Sequence, residues 1–74
     1  ARPNFLHTPA HKHLVGRLKI ARAEAKLTQR AVAKKLKRLP NYIAKVEAGD
    51  KSIEFLELRA LAKIYRKPLS YFEA

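Results

Sequence analysis

A chain of 74 residues without cysteine has neither a disulfide framework nor a cysteine-based zinc site, so its core must come from helix packing alone. No run approaches the roughly 18 apolar residues of a membrane span, and the N-terminus lacks a signal-peptide apolar region, so a soluble cytoplasmic protein is expected. The formal charge of +11 is uneven: residues 12–45 hold eleven Lys and Arg against Glu24 alone, while residues 46–74 hold five of each sign. Such asymmetry points to a polyanionic partner, nucleic acid or an anionic membrane, because a merely solvated face mixes both signs.

A chain this short makes one small domain, burying only about 60% of the surface it exposes when unfolded. It starts at Ala1, as a processed chain or a piece of a longer one would. Residues 1–9 are aperiodic and proline-containing and are expected to form an arm. Residues 10–74 are expected to form the domain. From about Pro9 the pattern turns helical, with Leu14, Leu18, Ala21 and Ala25 on a core-facing stripe that Leu27 ends. Thr28 offers an N-cap hydroxyl to "QRAVAKKL", in which Val32, Ala33 and Leu36 share a face. Pro40 suits the first turn of the next short helix, "PNYIAKVEA", which turns Ile43 and Val46 inward and has Gly49 just past its end. Ile53–Tyr65 reads as a longer helix with Phe55, Leu58, Ala62 and Tyr65 on one face and Leu61 beside them. "RKP" stops it, and "PLSYFE" makes a last turn with Leu69 and Phe72 on one side. Nothing alternates as a strand would. The expected fold is all-α, a compact bundle of four or five short helices.

Two short helices joined by three or four residues suggest a helix-turn-helix unit. With Gln29 as position one, position five is Ala33, a small residue where the two helices approach most closely. Positions four, eight, fifteen and eighteen are Val32, Leu36, Ile43 and Val46, all apolar. On these residues, with Arg22, Leu27-Thr28-Gln29, Tyr42, Lys45, Glu47 and Gly49, the chain resembles the lambda-repressor-like, Cro-type (xenobiotic-response-element) helix-turn-helix family over about residues 14–72. The resemblance implies a five-helix domain whose third helix enters the DNA major groove, and a transcriptional regulator. It also implies that Gln29 grips the DNA backbone and braces the third helix, and that Arg22 and Glu47 bond each other. Three residues depart from the family pattern. Lys37 stands where the turn usually has Gly, at about 1 kcal/mol for a left-handed conformation. Arg38 follows it where an apolar residue is usual, leaving Leu39 to supply that contact. Lys26 ends the first helix where Gly is often found.

The third helix would present Asn41, Ala44 and Lys45 to solvent. Asn can bond adenine bidentately and Lys can reach guanine, while Leu39 and Ala44 suit thymine methyls. Gln29, Arg30, Lys34, Arg38, Tyr42, Lys51 and Ser52 are the phosphate candidates, although Tyr42 could instead pack beside the core with only its tip polar. About six phosphate contacts per half-site predict a salt slope near −5. Leu69, Tyr71 and Phe72 form either a homodimer patch or a closure of the core. His7, His11 and His13 read as part of a basic arm, since no cysteine or early carboxylate accompanies them as a metal site would require. Ser52 and Ser70 lack a nucleophile motif and no His lies beyond residue 13, so no catalysis and no cofactor is expected.

Double-stranded DNA bound by a homodimer is thus the expected partner, with the protein a regulator, most simply a repressor, associated with the nucleoid. An antitoxin or restriction-controller protein, holding DNA and a protein partner, fits the same features. A basic helical module for RNA or an anionic membrane surface is the alternative from another class.

Overall fold

Two threonines set where helices begin. The computed structural model describes residues 8–73. The Thr8 hydroxyl accepts the His11 N–H at 3.1 Å and starts α1 (Pro9–Glu24), with Pro9 in the first turn where its missing N–H is harmless. The Thr28 hydroxyl accepts the Ala31 N–H at 3.0 Å and starts α2 (Gln29–Lys35). Each cap is worth about 1 kcal/mol. The chain continues through α3 (Tyr42–Glu47), α4 (Phe55–Tyr65) and α5 (Leu69–Glu73). It is all-α among the described residues, in five helices.

Pro40 is not inside α3. It precedes the Asn41 cap, in a turn closed by the Tyr42 N–H on the Leu39 carbonyl at 3.0 Å. Asn41, at φ −90° and ψ 4°, has the backbone of the third residue of a type I turn, which leaves proline the second position that its fixed φ favours.

Helices α1 to α4 share one ending. A left-handed residue bonds the carbonyl three back, and the next N–H reaches the carbonyl five back, which satisfies carbonyls the helix leaves open. Gly49 fills that position after α3 at φ 82°, but Lys26, Lys37 and Arg66 fill it elsewhere at 58–59°. Each of these three bears roughly 1 kcal/mol of strain that glycine would avoid. A cation at a helix C-terminus offsets part of it.

The core joins Leu18 and Ala21 of α1, Val32 and Ala33 of α2, Ile43 and Val46 of α3, Leu61, Ala62 and Tyr65 of α4, and Phe72 of α5. Helix α1 packs against α3, α4 and α5, and α2 packs against α3. Several expectations are corrected here. Phe55 is 62% exposed: it opens α4, whose buried residues Leu61, Ala62 and Tyr65 lie toward the other end. Val15, which the expected stripe of α1 omitted, is buried. Phe72 is 2% exposed and faces inward, with Leu69 and Tyr71 packed against the same core, so these three residues close the fold. Tyr71 meets Phe72 edge-on at 5.2 Å and carries the Arg17 guanidinium and the Lys67 ammonium on its ring at 4.9 and 4.8 Å. His11 and His13 lie within α1, and His11 is buried, so neither belongs to an arm; His7 lies outside the described residues. Among the described residues no cluster of metal-ligating side chains occurs, and no helix is long and apolar enough to cross a membrane.

Burial, reinforced by the nearby Glu47 carboxylate, pushes the Tyr65 hydroxyl up to about 12. The unfolded chain gives up that proton near pH 10 and the folded one does not. The stability carried by neutral Tyr65 is therefore complete below about pH 10 and is lost as pH rises toward 12. The melting temperature should fall across that window, and Tyr65→Phe should decline less steeply. Parallel curves for the two proteins would show that Tyr65 ionisation is not linked to folding.

Candidate nucleic-acid interface

A six-residue helix is far too short to be stable alone, so the orientation of α3 must come from its neighbours. Its inner face is locked by Ile43 and Val46 in the core. Its last residue, Glu47, is only 5% exposed and is met from two sides. Arg22 Nε donates to Glu47 Oε2 at 2.6 Å and Arg22 Nη2 to Oε1 at 3.0 Å, a two-point pair across α1 and α3. Gln29 Nε2 donates to the same Oε1 at 3.1 Å, tying in the start of α2. Arg22 Nη1 reaches the Leu27 carbonyl at 2.9 Å, where α1 gives way to α2. The bond to Glu47 holds the Arg22 guanidinium above its ordinary pKa. A carboxylate at a helix C-terminus opposes the macrodipole, so Glu47 serves this junction rather than its own helix.

The outer side of α3 is open. Asn41 and Lys45 are exposed and Ala44 half-buried. Asn41, Lys45, Leu39, Arg38, Tyr42 and Lys51 line one shallow concavity, and Arg30, Lys34, Arg38 and Pro40 line another that shares Arg38. All four base-contact candidates therefore lie on or beside α3, and the cations of α2 flank them. Ser52 is exposed but lines neither depression.

Three candidates have internal partners. Gln29 spends its amide N–H on Glu47. Tyr42 is buried, and its hydroxyl donates to Glu57 Oε1 at 2.5 Å, so it packs with a polar tip rather than holding its hydroxyl out to a phosphate. Desolvation, with Glu57 second, raises the Tyr42 pKa and keeps it neutral. Arg38 pairs with the other Glu57 oxygen and lies 5.2 Å from the centroid of the Tyr42 ring, with Lys51 Nζ at 5.8 Å from the same ring. Leu39, at 74% exposed, does not supply the missing apolar contact of the turn; Arg38 replaces it by stacking on Tyr42. Glu57 was absent from the sequence expectations. An acid in the first turn of α4 is ordinary helix-dipole chemistry, and nothing local places it against residues so distant in the chain.

The geometry is that of two helices joined by a tight turn, the second braced from behind and bare in front. No curated protein and no solved structure matches the chain. A family model described as helix-turn-helix matches residues 18–72, from the middle of α1 to the end of the core in α5. The chain therefore belongs to the helix-turn-helix family, in its Cro- and lambda-repressor-like form, a family of DNA-binding domains of the transcription-regulator type.

Proposed function

We propose that the protein is a sequence-specific regulator of transcription that lays α3 in the major groove of duplex DNA. The observation that carries this reading is the division of α3 into two sides. Glu47, Ile43 and Val46 fix one of them, and Asn41 and Lys45 stand exposed on the other, flanked by Arg30, Lys34 and Lys51. Asn41 suits adenine and Lys45 suits guanine, each pairing contributing about 1–3 kcal/mol of discrimination, with Leu39 and Ala44 placed for thymine methyls. Arg30, Lys34, Lys51 and Ser52 hold the phosphates, while Gln29 acts mainly by bracing α3.

Two copies on one site double an interface that is small for one domain. Leu69, Tyr71 and Phe72 are committed to the core, which leaves Phe55 and Leu56, both exposed, on the charge-balanced half of the chain. Repression by occupancy follows most simply from a surface given over to DNA.

Selection from a random duplex pool is the direct test. Inverted half-sites centred about one helical turn apart are expected. A single unpaired half-site would remove the dimer, and no enriched sequence, or equal binding to RNA or anionic vesicles, would remove specific readout. With the selected duplex, Lys45→Ala should cost about 1–3 kcal/mol and relax preference at particular positions. A uniform loss across sequences would reassign Lys45 to phosphate.

A further inference from the structure

We infer that Glu57 is a specificity-determining residue of the DNA interface, acting as a resident counter-ion that withholds Arg38 from phosphate. This rests on the DNA-binding reading above. Four residues of the reading concavity, Asn41, Lys45, Lys51 and Leu39, have side chains directed to solvent, and all but Leu39 are polar or cationic. Behind them Glu57, from the first turn of α4, stands 16% exposed with both oxygens engaged. One accepts the Tyr42 hydroxyl at 2.5 Å, and the other is held by Arg38. The guanidinium is held twice, by the carboxylate at its edge and by the Tyr42 ring against its face.

A half-exposed arginine beside a DNA-reading helix would ordinarily be counted as a phosphate ligand. Here its release would leave a poorly solvated carboxylate without its cation, next to an approaching polyanion. Both consequences are unfavourable, so Arg38 stays with Glu57 when DNA binds. The effect falls on selectivity. Phosphate contacts raise affinity for every sequence alike and carry no base information. By neutralising one cation inside the interface, Glu57 lowers the sequence-independent part of binding and leaves the Asn41 and Lys45 contacts untouched.

The experiment compares the unmodified protein with Glu57→Gln, Arg38→Gln and the double variant, on the selected duplex and on random duplex, over a range of salt. Glu57→Gln keeps an acceptor for Tyr42 but removes the charge. It should tighten binding to both duplexes at low salt and steepen the slope of log affinity against log salt by about 0.9 per protomer. Arg38→Gln alone should leave the slope of the unmodified protein unchanged, and the double variant should match it. If Glu57→Gln steepens the slope equally with Arg38 removed, the gain is a general field effect and the inference fails. It fails too if the double variant has a slope shallower than the unmodified protein by about 0.9, because Arg38 then already holds a phosphate. The double variant, which leaves no unpaired charge at this place, decides the matter even where Glu57→Gln lowers stability. Failure of the unmodified protein to bind any duplex would overturn both this inference and the function it rests on; binding with the wrong slopes overturns this one alone.

Discussion

Glu47→Ala is expected to cost about 3–5 kcal/mol of folding stability, the range for breaking a buried ion pair from one side. The loss has an identifiable origin. Glu47 accepts two bonds from Arg22 and one from Gln29, so alanine leaves a partly buried guanidinium without its carboxylate and an amide without its acceptor. An exposed pair would be worth no more than about 1 kcal/mol. Domains of this size are stable by roughly 0.05–0.15 kcal/mol per residue, so the substitution would remove a large part of the total. A drop of at least about 12 °C in melting temperature is the corresponding signal. Replacing both partners, as in Arg22→Met with Glu47→Leu, should cost less than Glu47→Ala alone, since no orphaned charge remains. Thermal melts of the three variants check this. A loss within about 1 kcal/mol for Glu47→Ala would mean that the junction behaves as a surface contact.

Binding of the operator should weaken about a thousandfold between about 50 and 200 mM salt, with a logarithmic slope of roughly −5 for two protomers. The number follows from which of the charged phosphate candidates form no ion pair. Arg30, Lys34 and Lys51 are exposed, three from each copy. The sequence expectation of about six contacts per half-site gives a slope near −5 for one half-site alone, and three charged contacts give about half of that. Gln29 and Tyr42 are uncharged and turned toward Glu47 and Glu57, and Arg38 is paired. Titrations of a labelled duplex at several salt concentrations measure the slope directly. A value near about −7 would show that Arg38 leaves Glu57 for a phosphate in both copies, and a flat profile would remove phosphate contact as the source of affinity.

What could be read from the chain before folding was whatever its local period carried. Leu18, Ala21, Val32, Ala33, Ile43 and Val46 recur at helical spacing, and all six are buried in the core. Thr28 was legible as a cap because its hydroxyl acts three residues away. The pairing of Arg22 with Glu47 was visible only through family resemblance, since 25 residues of chain separate them. Other residues were ambiguous for physical reasons. Phe55 and Phe72 carry the same apolar signal, yet one is exposed and the other buried, because periodicity gives a face but not what covers it. Pro40 satisfies the first turn of a helix and the second position of a type I turn with the same fixed φ. Glu57 had no signal at all: its role exists only once α4 is laid beside the turn before α3.

Three of the four helix endings set a lysine or arginine where glycine would sit without strain. Glycine there would have removed one positive charge from each of three corners. Lys26, Lys37 and Arg66 instead make each reversal of the chain a source of positive potential, at positions whose backbone is held by two hydrogen bonds. In so small a molecule the hinges of the architecture thus also add to its long-range positive field.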